Sequence, residues 1–414
     1  MNDGSALKTT PLHARHLALN ATMAPFGGWD MPLWYGAGAI REHLAVVRAA
    51  GLFDTSHMDV IFVSGETARA FLDYAFTRDL ADARPGRCAY GAFLDARGFC
   101  LDDAIVYPLE ERRFAVVLNA SMADPIRKHL ASLPDAGAVD ITEPRSRLAK
   151  FDVQGPGAAA LTAGVLSNPS GLFAHFPYFT FKGDFDLSRS DVSLWDGTPV
   201  LLSRTGYTGE QGFEMFLPGD RAVAVWDRLM DAGADKGLLP CGLAARDSLR
   251  AGAVLPLSHQ DIGAWPYVNH PWPFALPTGP DGAFTKKFHG ADALDPATAP
   301  HTLAFVGFDP RRVEGHGSPV LLDGMEIGAV TTIVSDMAMG RVDGKAVSLS
   351  SPDKPEGWTP RGLCCGFVRV DRDLPPGTEL TLKDARRTIR VEVAADVRPG
   401  RTARKKLPVI QEKQ

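Results

Sequence analysis

From about residue 302 onward, the chain consists of short segments in which apolar and polar residues alternate. These segments read "HTLAFVGF", "SPVLLDGMEIGAVTTIVS", "GLCCGFVRV" and "TELTLKDARRTIRVEVAAD", and Gly or Asp-Gly turns punctuate them. Alternation is typical of strands that bury one face, because successive side chains point to opposite sides. Asp-Gly between such runs is a strong hairpin signal. The pattern therefore predicts a small antiparallel barrel or sandwich.

The preceding part of the chain mixes helical and strand patterns irregularly. The segment "AGAIREHLAVVRAAGLFD" predicts a helix with Ile40, Leu44 and Val47 on one apolar face and Gly51 as a stop signal. Two more helices are predicted in "GETARAFLDYAF" and "SMADPIRKHLASL", and strands in "RFAVVLNAS" and "LAKFDVQGP". Residues 263–300 are dense in Pro, Gly and aromatic rings, which favours a packed loop over an inter-domain linker.

Length, charge and cysteine content narrow the class of protein. A chain of 414 residues allows two to four domains. Its net charge of -5 offers no bulk attraction to nucleic acid or to an anionic membrane, so neither is an expected partner. The five cysteines form no C-x-x-C pair, which favours a reducing cytoplasm. Because the sequence shows no apolar signal core and no membrane-length apolar run, we expect an unexported cytoplasmic protein.

Several common catalytic motifs are missing from the sequence. There is no phosphate-binding Walker loop, and "GAGAIR" lacks the third glycine and the preceding strand of a dinucleotide fingerprint. Neither H-E-x-x-H nor another paired metal spacing occurs among the histidines, so no metal site is expected. The G-x-S-x-G elbow of serine hydrolases is also missing. Candidate chemistry must come from acids, tyrosines and an arginine in glycine-bounded turns.

Two adjacent carboxylates, Asp102 and Asp103, precede an apolar run in "GFCLDDAIVY". Along a strand, Asp103 shares a face with Ile105 and Tyr107, whereas Asp102 points to the other side. The alternation predicts that only one of the two acids can face a given pocket. Both acids could instead cap a strand end in solvent, where most carboxylates lie.

A glycine-rich turn in "SRTGYTGEQGFEMF" is the other candidate site. Its three glycines allow close backbone turns around Tyr207, Glu210 and Glu214, and such a loop can lie against a flat ligand. A plain hairpin whose glycines serve only backbone geometry is the alternative. The regular placement of Gly, Tyr and Glu favours a binding loop.

The sequence resembles the glycine-cleavage T-protein family of folate-dependent aminomethyltransferases. Segments of that family occur here in family order: "TPLHARHLALNATMAPFGGWDMPLWYG", "EHLAVVRAAGLFDTSHM", "GFCLDDAIVY", "VQGPGA", "SRTGYTGEQGFE", "CGLAARDSLR" and "IGAVTT". The resemblance implies an α+β, three-domain fold around a tetrahydrofolate pocket. Two intertwined α+β domains are expected in residues 1–290 and a C-terminal antiparallel β-barrel in residues 302–410.

The resemblance also assigns roles to individual residues. It makes Asp103 the catalytic acid. It places the folate pocket at Tyr90, Tyr107, Asn119, Tyr178, Tyr207, Glu214 and Arg246. A buried Glu214 could read the amide and amine edge of a pterin through charge-assisted hydrogen bonds. Arg246 could pair with Glu214, with another acid or with a folate carboxylate.

The implied reaction moves a one-carbon unit to tetrahydrofolate and releases ammonia, without a metal. The donor is an aminomethyl group on the lipoyl arm of the H-protein, which is the expected partner. A second hypothesis keeps tetrahydrofolate but takes another small methylated donor. A third, ranked last, is a non-enzymatic folate-binding assembly factor, whose characteristic cysteine motif is absent here.

Four positions depart from the family pattern on the substrate side. Gly252 stands where the family carries Glu, Ser258 and His259 replace a Tyr-Gly pair, and Pro273 replaces an acid. A loop in "GRVDGKAVSLSSPDKPEGWTP" appears as an addition to the barrel. These changes do not affect the residues assigned to folate, but they leave the identity of the one-carbon donor undecided.

Overall fold

The structure, a computed structural model, describes residues 6–408. Among these residues no helix has the length and apolar character needed to cross a membrane. The described α-helices are α1 (His13–Ala18), α2 (Ala39–Arg48), α3 (Ala68–Ala75), α4 (Ala123–Ala131), α5 (Ala158–Ala163), α6 (Pro169–Phe173), α7 (Ala222–Gly233) and α8 (Leu243–Gly252).

The strands fall into three successive groups along the chain. The first group is β1 (Thr22–Phe26), β2 (Trp29–Trp34), β3 (Ala50–Asp54), β4 (Met58–Ser64), β5 (Ala89–Leu94), β6 (Cys100–Glu110) and β7 (Arg113–Ala120). The second is β8 (Asp140–Thr142), β9 (Leu148–Gln154), β10 (Phe181–Lys182), β11 (Leu201–Ser203), β12 (Gly212–Pro218) and β13 (Leu238–Pro240). The third is β14 (His301–Gly307), β15 (Pro319–Leu322), β16 (Met325–Asp336), β17 (Met339–Val342), β18 (Lys345–Ser348), β19 (Leu363–Val370), β20 (Glu379–Lys383) and β21 (Thr388–Val393).

Two sheets carry the candidate site residues. One is five-stranded, in the order β5-β6-β7-β4-β8, and holds the acid pair on β6. The other is six-stranded, in the order β10-β11-β12-β9-β3-β13, and holds Glu214 on β12. The chain leaves β3 in one sheet and enters β4 in the other within a few residues, so the sheets share chain segments. Each sheet has its own apolar core, with Phe151 and Trp226 in one and Phe76 and Phe114 in the other.

The C-terminal strands close into a six-stranded antiparallel barrel, in the order β14-β19-β16-β15-β20-β21. The β15–β16 hairpin turns at Asp323-Gly324, both with positive φ, as an Asp-Gly turn requires. The predicted barrel and the α+β fold class are confirmed. Residues 1–5 and 409–410 lie outside the described part, so the outer limits of domains 1–290 and 302–410 stay predictions.

Helix α2 forms where the periodicity predicts it, but its buried face is rotated. Ile40 is 55% exposed, so its placement on the buried face is wrong. The helix instead buries Glu42 and His43 beside Val46 and Val47. Glu42 can be buried because its carboxylate accepts hydrogen bonds from the backbone N–H groups of Tyr35, at 2.6 Å, and Gly242, at 2.9 Å. These hydrogen bonds thus allow a charged residue to lie on the buried face of the helix, against the apolar pattern.

The aromatic-rich segment 263–300 is a packed loop, as predicted. Its residues Tyr267, Leu276 and Phe288 are buried against Tyr90 of β5. The segment therefore packs against β5, the strand that is paired with β6 and its two acids.

Gly252 ends helix α8 at the junction with the barrel. Arg398 donates its backbone N–H to the Gly252 carbonyl at 2.8 Å, and its guanidinium pairs with Asp336 of β16 at 2.8 Å. A Cβ atom on Gly252 would collide with Asp336 Oδ2. Burial alone would raise the pKa of Asp336, but His43 and Arg398 hold it well below its ordinary value. Gly252 therefore makes room for a fully buried ion pair.

We expect Gly252→Ala to lower the free energy of unfolding by about 2 kcal/mol, because overpacking would push on a buried charge. Chemical denaturation followed by tryptophan fluorescence measures the change. Gly36→Ala is the matched control, because Gly36 has open space around its Cα and an ordinary φ. A Gly252→Ala protein as stable as the control would contradict this account of the glycine.

Candidate active site

The two acids of β6 share one amide. Asn119 lies on β7 and donates its Nδ2 group to Asp102 Oδ1 at 2.7 Å and to Asp103 Oδ1 at 2.8 Å. The Asn119 backbone N–H also reaches Asp102 Oδ2 at 3.0 Å. Simple alternation predicts that only one acid faces a given site, whereas here both converge on Asn119. The β5–β6 register shifts beside Asp102, and such irregularities re-aim side chains.

Asp103 is the more accessible of the two acids. It is half-buried, and its Oδ2 accepts a hydrogen bond from the Tyr90 hydroxyl at 2.8 Å. Trp272 packs edge-on against the Tyr90 ring, with 4.5 Å between centroids. The Asp103 carboxylate is therefore held from two sides, by Asn119 and Tyr90, while it remains reachable.

Asp102 is fully buried and interacts with the segment after α8. Burial raises the pKa of Asp102 to about 6, and the charge of Asp103 adds to the rise while contacts with His259 and Asn119 oppose it. The Ser258 hydroxyl lies 3.5 Å from Asp102 Oδ1, and His259 Nε2 lies 3.6 Å from the same atom. Asp102 is thus a buried acid whose charge depends on its neighbours.

A second charged cluster joins β9 to β12. Lys150 and Asp152 are two apart on β9 and so share a face, and Asp152 pairs in register with Glu214 of β12. The Lys150 ammonium donates to Asp152 at 2.6 Å and to Glu214 Oε1. The Thr205 hydroxyl donates to the other Glu214 oxygen. Glu214 is therefore a buried carboxylate paired with a buried lysine.

Arg246 of α8 pairs with Asp152, an acid other than Glu214, and its contact with a folate carboxylate stays a prediction. Its guanidinium donates to Asp152 Oδ2 at 2.8 Å and lies 4.9 Å from the centroid of the Tyr207 ring. Burial would raise the pKa of Asp152, but the charges of Lys150 and Arg246 outweigh it and lower that pKa to about 2. Asp152 therefore stays ionised at neutral pH.

Tyr207 lies between the two clusters. Its hydroxyl donates to the carbonyl groups of Leu255, at 3.3 Å, and Pro256. Burial raises its pKa, and its phenol experiences the charges of both Asp103 and Arg246. The glycine-rich turn therefore brings the acid pair and the charged cluster of β9 and β12 into one region.

Tyr178 and Tyr107 have different surroundings. Tyr178 is half-buried, and the Arg404 guanidinium lies 5.6 Å from its ring centroid. Tyr107 is fully buried among Phe181, Phe185 and Phe216. The Tyr107 hydroxyl donates to Ser203 at 3.4 Å, and the Ser203 hydroxyl lies 2.8 Å from that of Thr205, which donates to Glu214. Tyr107 thus lies behind Glu214, and its direct contact with a ligand stays a prediction.

Four residues of this region do not appear among the predicted site residues. Lys150 and Asp152 are charged residues on one face of an otherwise apolar strand, a signal visible in "LAKFDVQGP". Tyr267 and His270 belong to the aromatic-rich loop, with ring centroids 4.2 Å apart. Among the described residues, the buried Tyr267 hydroxyl and His270 Nε2 have no hydrogen-bond partner.

The site presents a carboxylate fixed by hydrogen bonds beside aromatic rings, an arrangement that suits a group-transfer enzyme. The chain belongs to the aminomethyltransferase family, the one-carbon transferases of the glycine cleavage system. Residues 12–265 match the family model described as the GCVT N-terminal domain. The resemblance inferred from the sequence motifs is thereby confirmed.

Individual relatives agree with this assignment. An aminomethyltransferase from Streptomyces avermitilis is 37% identical over 348 residues, which cover 81% of this chain and 88% of the relative. One from Deinococcus deserti is 37% identical over 340 residues, covering 81% and 87%. The crystal structure of glycine cleavage system aminomethyltransferase T from Bartonella henselae superposes with a TM-score of 0.75 at 27% identity, covering 97% of this chain and all of that one.

We expect Lys150→Met to lower the free energy of unfolding by about 3 kcal/mol at pH 7, because two buried carboxylates would lose their shared cation. The wild-type pKa of Asp152 is below its ordinary value of 3.8, so its stabilising contribution is present above that pH and is lost as the pH falls towards about 2. The variant should therefore lose less stability than the wild type on acidification.

Urea denaturation at pH 7 and at pH 3 measures both effects. Lys236→Met is the matched control, because Lys236 is exposed and bonds only a nearby carbonyl of its own helix region. Equal stability of the two variants at pH 7 would contradict the ion-pair account.

Proposed function

We propose that this enzyme transfers a one-carbon unit from an aminomethyl group on the lipoyl arm of H-protein to tetrahydrofolate, with release of ammonia. The observation that carries the proposal is the half-buried Asp103 carboxylate, fixed by Asn119 and Tyr90, in a chain of the aminomethyltransferase family. The five cysteines are free, which suits the reducing cytoplasm that we propose as its location.

The side chains of the site fit a reduced folate. A pterin is a flat ring with an amide and amine edge, which needs acceptors along the edge and aromatic surfaces above it. Glu214 accepts one hydrogen bond at each oxygen from Lys150 and Thr205, and each oxygen can accept another. Tyr207 and Tyr178 are half-buried rings, and the Tyr267 hydroxyl is a buried donor without a partner among the described residues.

Tetrahydrofolate supplies the nitrogen that accepts the one-carbon unit. The chain's own contribution is electrostatic and positional. Asp103 presents an anion where positive charge develops on the transferred carbon, and a preorganised anion stabilises such charge without reorganising. The same carboxylate can accept or return a proton. Asn119 and Tyr90 fix its orientation, and Lys150 and Thr205 fix that of Glu214.

A second candidate keeps tetrahydrofolate and replaces the donor by a small methylated amine or sulfonium compound. Trp272 and Phe274 stack with 5.6 Å between ring centroids, and Trp272 packs on Tyr90, which binds Asp103. Aromatic faces favour cationic methyl groups. Gly252 no longer supports this alternative, because its missing side chain is explained by the buried Asp336. A non-enzymatic assembly role ranks last, because the candidate catalytic acid is present and oriented.

The decisive assay supplies the purified enzyme with aminomethylated, lipoylated H-protein and tetrahydrofolate. We expect release of ammonia and formation of methylene-tetrahydrofolate. Omission of tetrahydrofolate is the control. No ammonia with H-protein, together with folate methylation from a methylated amine or sulfonium donor, would replace the first candidate by the second.

We expect Asp103→Asn to reduce the transfer rate by at least about 100-fold, since general acid–base help is typically worth about 100- to 10,000-fold. Tetrahydrofolate binding, measured by quenching of tryptophan fluorescence, should largely survive because the amide is nearly isosteric. Asp124→Asn, at an exposed position of α4, is the control. Near-normal transfer by Asp103→Asn would remove this residue from the mechanism.

A further inference from the structure

His259 adopts a backbone conformation that side chains rarely take. Its φ is +63°, in the left-handed region that glycine adopts most readily. A left-handed residue with a side chain is strained relative to glycine, although histidine tolerates the region better than most residues. Such strain persists where the surrounding structure holds it, and it often marks functional positions. The His259 side chain is 52% exposed and points towards the acid pair.

The two carboxylates of the acid pair repel each other, and neither residue supplies a positive charge that would offset this repulsion. Asn119 brings Asp102 and Asp103 onto one neutral amide, so two carboxylates lie side by side. Like charges in one place favour protonation of one of them. Asp102 is the one that is fully buried, and its pKa is raised to about 6. That value already includes the opposing contact with His259, so without this contact Asp102 would take up a proton at a still higher pH.

Protonation of Asp102 would disturb the geometry of the site. Both of its oxygens accept hydrogen bonds from Asn119, Oδ1 from the side chain at 2.7 Å and Oδ2 from the backbone at 3.0 Å. A proton on either oxygen makes that oxygen a hydrogen-bond donor and a poorer acceptor, so the bond that it accepts from Asn119 weakens. Because the same Asn119 amide holds Asp103, the effect reaches the candidate catalytic carboxylate.

His259 is the ionisable side chain placed to oppose this protonation. Its Nε2 lies 3.6 Å from Asp102 Oδ1, and the contact with Asp102 raises the pKa of His259, with a further contribution from Asp103. The phenols of Tyr90 and Tyr267 also face Asp103, but burial raises their pKa values and keeps them neutral. The Ser258 hydroxyl, 3.5 Å from Asp102, carries no charge. The Cys100 thiol also faces both acids, and burial raises its pKa and keeps it neutral.

We propose that His259 is a positioning residue of the transfer reaction: its imidazolium keeps Asp102 ionised, so that Asn119 holds Asp103 in its working orientation. The inference rests on the proposed role of Asp103 in transfer. It does not require His259 to touch either substrate.

Two variants distinguish the effect of the imidazole from that of the left-handed backbone. His259→Asn removes the titrating group and retains a residue that accepts the left-handed conformation, whereas His259→Gly removes the strain as well. We expect both variants to fold, with the glycine variant at least as stable as the wild type. His13→Gln is the matched control, because it removes a half-buried histidine that contacts Asp30 at 2.8 Å elsewhere.

The first measurement is the titration of Asp102 by ¹³C NMR of the aspartate carboxyl groups. Loss of the neighbouring cation should raise the pKa of Asp102 in both variants and leave it unchanged in His13→Gln. The second is the pH dependence of kcat for transfer. Its acidic limb should move to higher pH by about one unit, the usual size of one nearby charge. The KM for tetrahydrofolate should change little.

An unchanged Asp102 titration in both His259 variants would overturn the inference, and so would a shifted titration with an unmoved pH–rate profile. If the wild type shows no transfer at all, the proposed function fails, whereas the carboxyl titration still tests the Asp102–His259 pairing. A loss of activity that is equal at every pH would indicate a merely structural role and would also overturn it.

Discussion

A lysine buried between two carboxylates is the interaction on which the six-stranded sheet and its site depend. Lys150 lies on β9, between β12 and β3, and binds Asp152 and Glu214. A buried charge is tolerated only when it is paired and hydrogen-bonded, so these three residues constrain one another. Arg246 joins Asp152 to α8. The strand register, the helix position and the orientation of Glu214 are thereby fixed by one set of charges.

The barrel is joined to the rest of the molecule by polar contacts of the same kind. Asp336 of β16 binds His43 of α2 and the buried Arg398. Asp261 accepts hydrogen bonds from Thr331 and Thr332 of β16, at 2.6 and 2.7 Å, and from Arg250 of α8. An apolar cluster that joins Ala251 and Val254 to Val306 and Phe367 of the barrel accompanies these polar contacts. Directional contacts of this kind require one relative orientation, which apolar surfaces alone specify less strictly.

Sequence patterns predicted those parts of the structure that apolar burial decides. The barrel follows from strand alternation and Asp-Gly turns, and α2 follows from its periodicity. The same periodicity placed Ile40 inside, because it registers hydrophobicity and not the hydrogen bonds that allow Glu42 to be buried. The partner of Arg246 was undecidable for the same reason, since pairing between α8 and β9 depends on tertiary geometry. Lys150 was missed because a lysine in a strand ordinarily lies in solvent.

The segment from Ser258 to Asp261 links these observations. Its first two residues face Asp102, whereas Gln260 and Asp261 bind Thr331 and Thr332 of the barrel. The segment that carries His259 is therefore bound to the barrel on one side, and the His259 side chain faces Asp102 on the other. The glycine-rich turn and the Lys150 cluster belong to other segments of the chain. Charge at the acid pair can thus change through one residue of this segment, without rebuilding the surface that we assign to the folate.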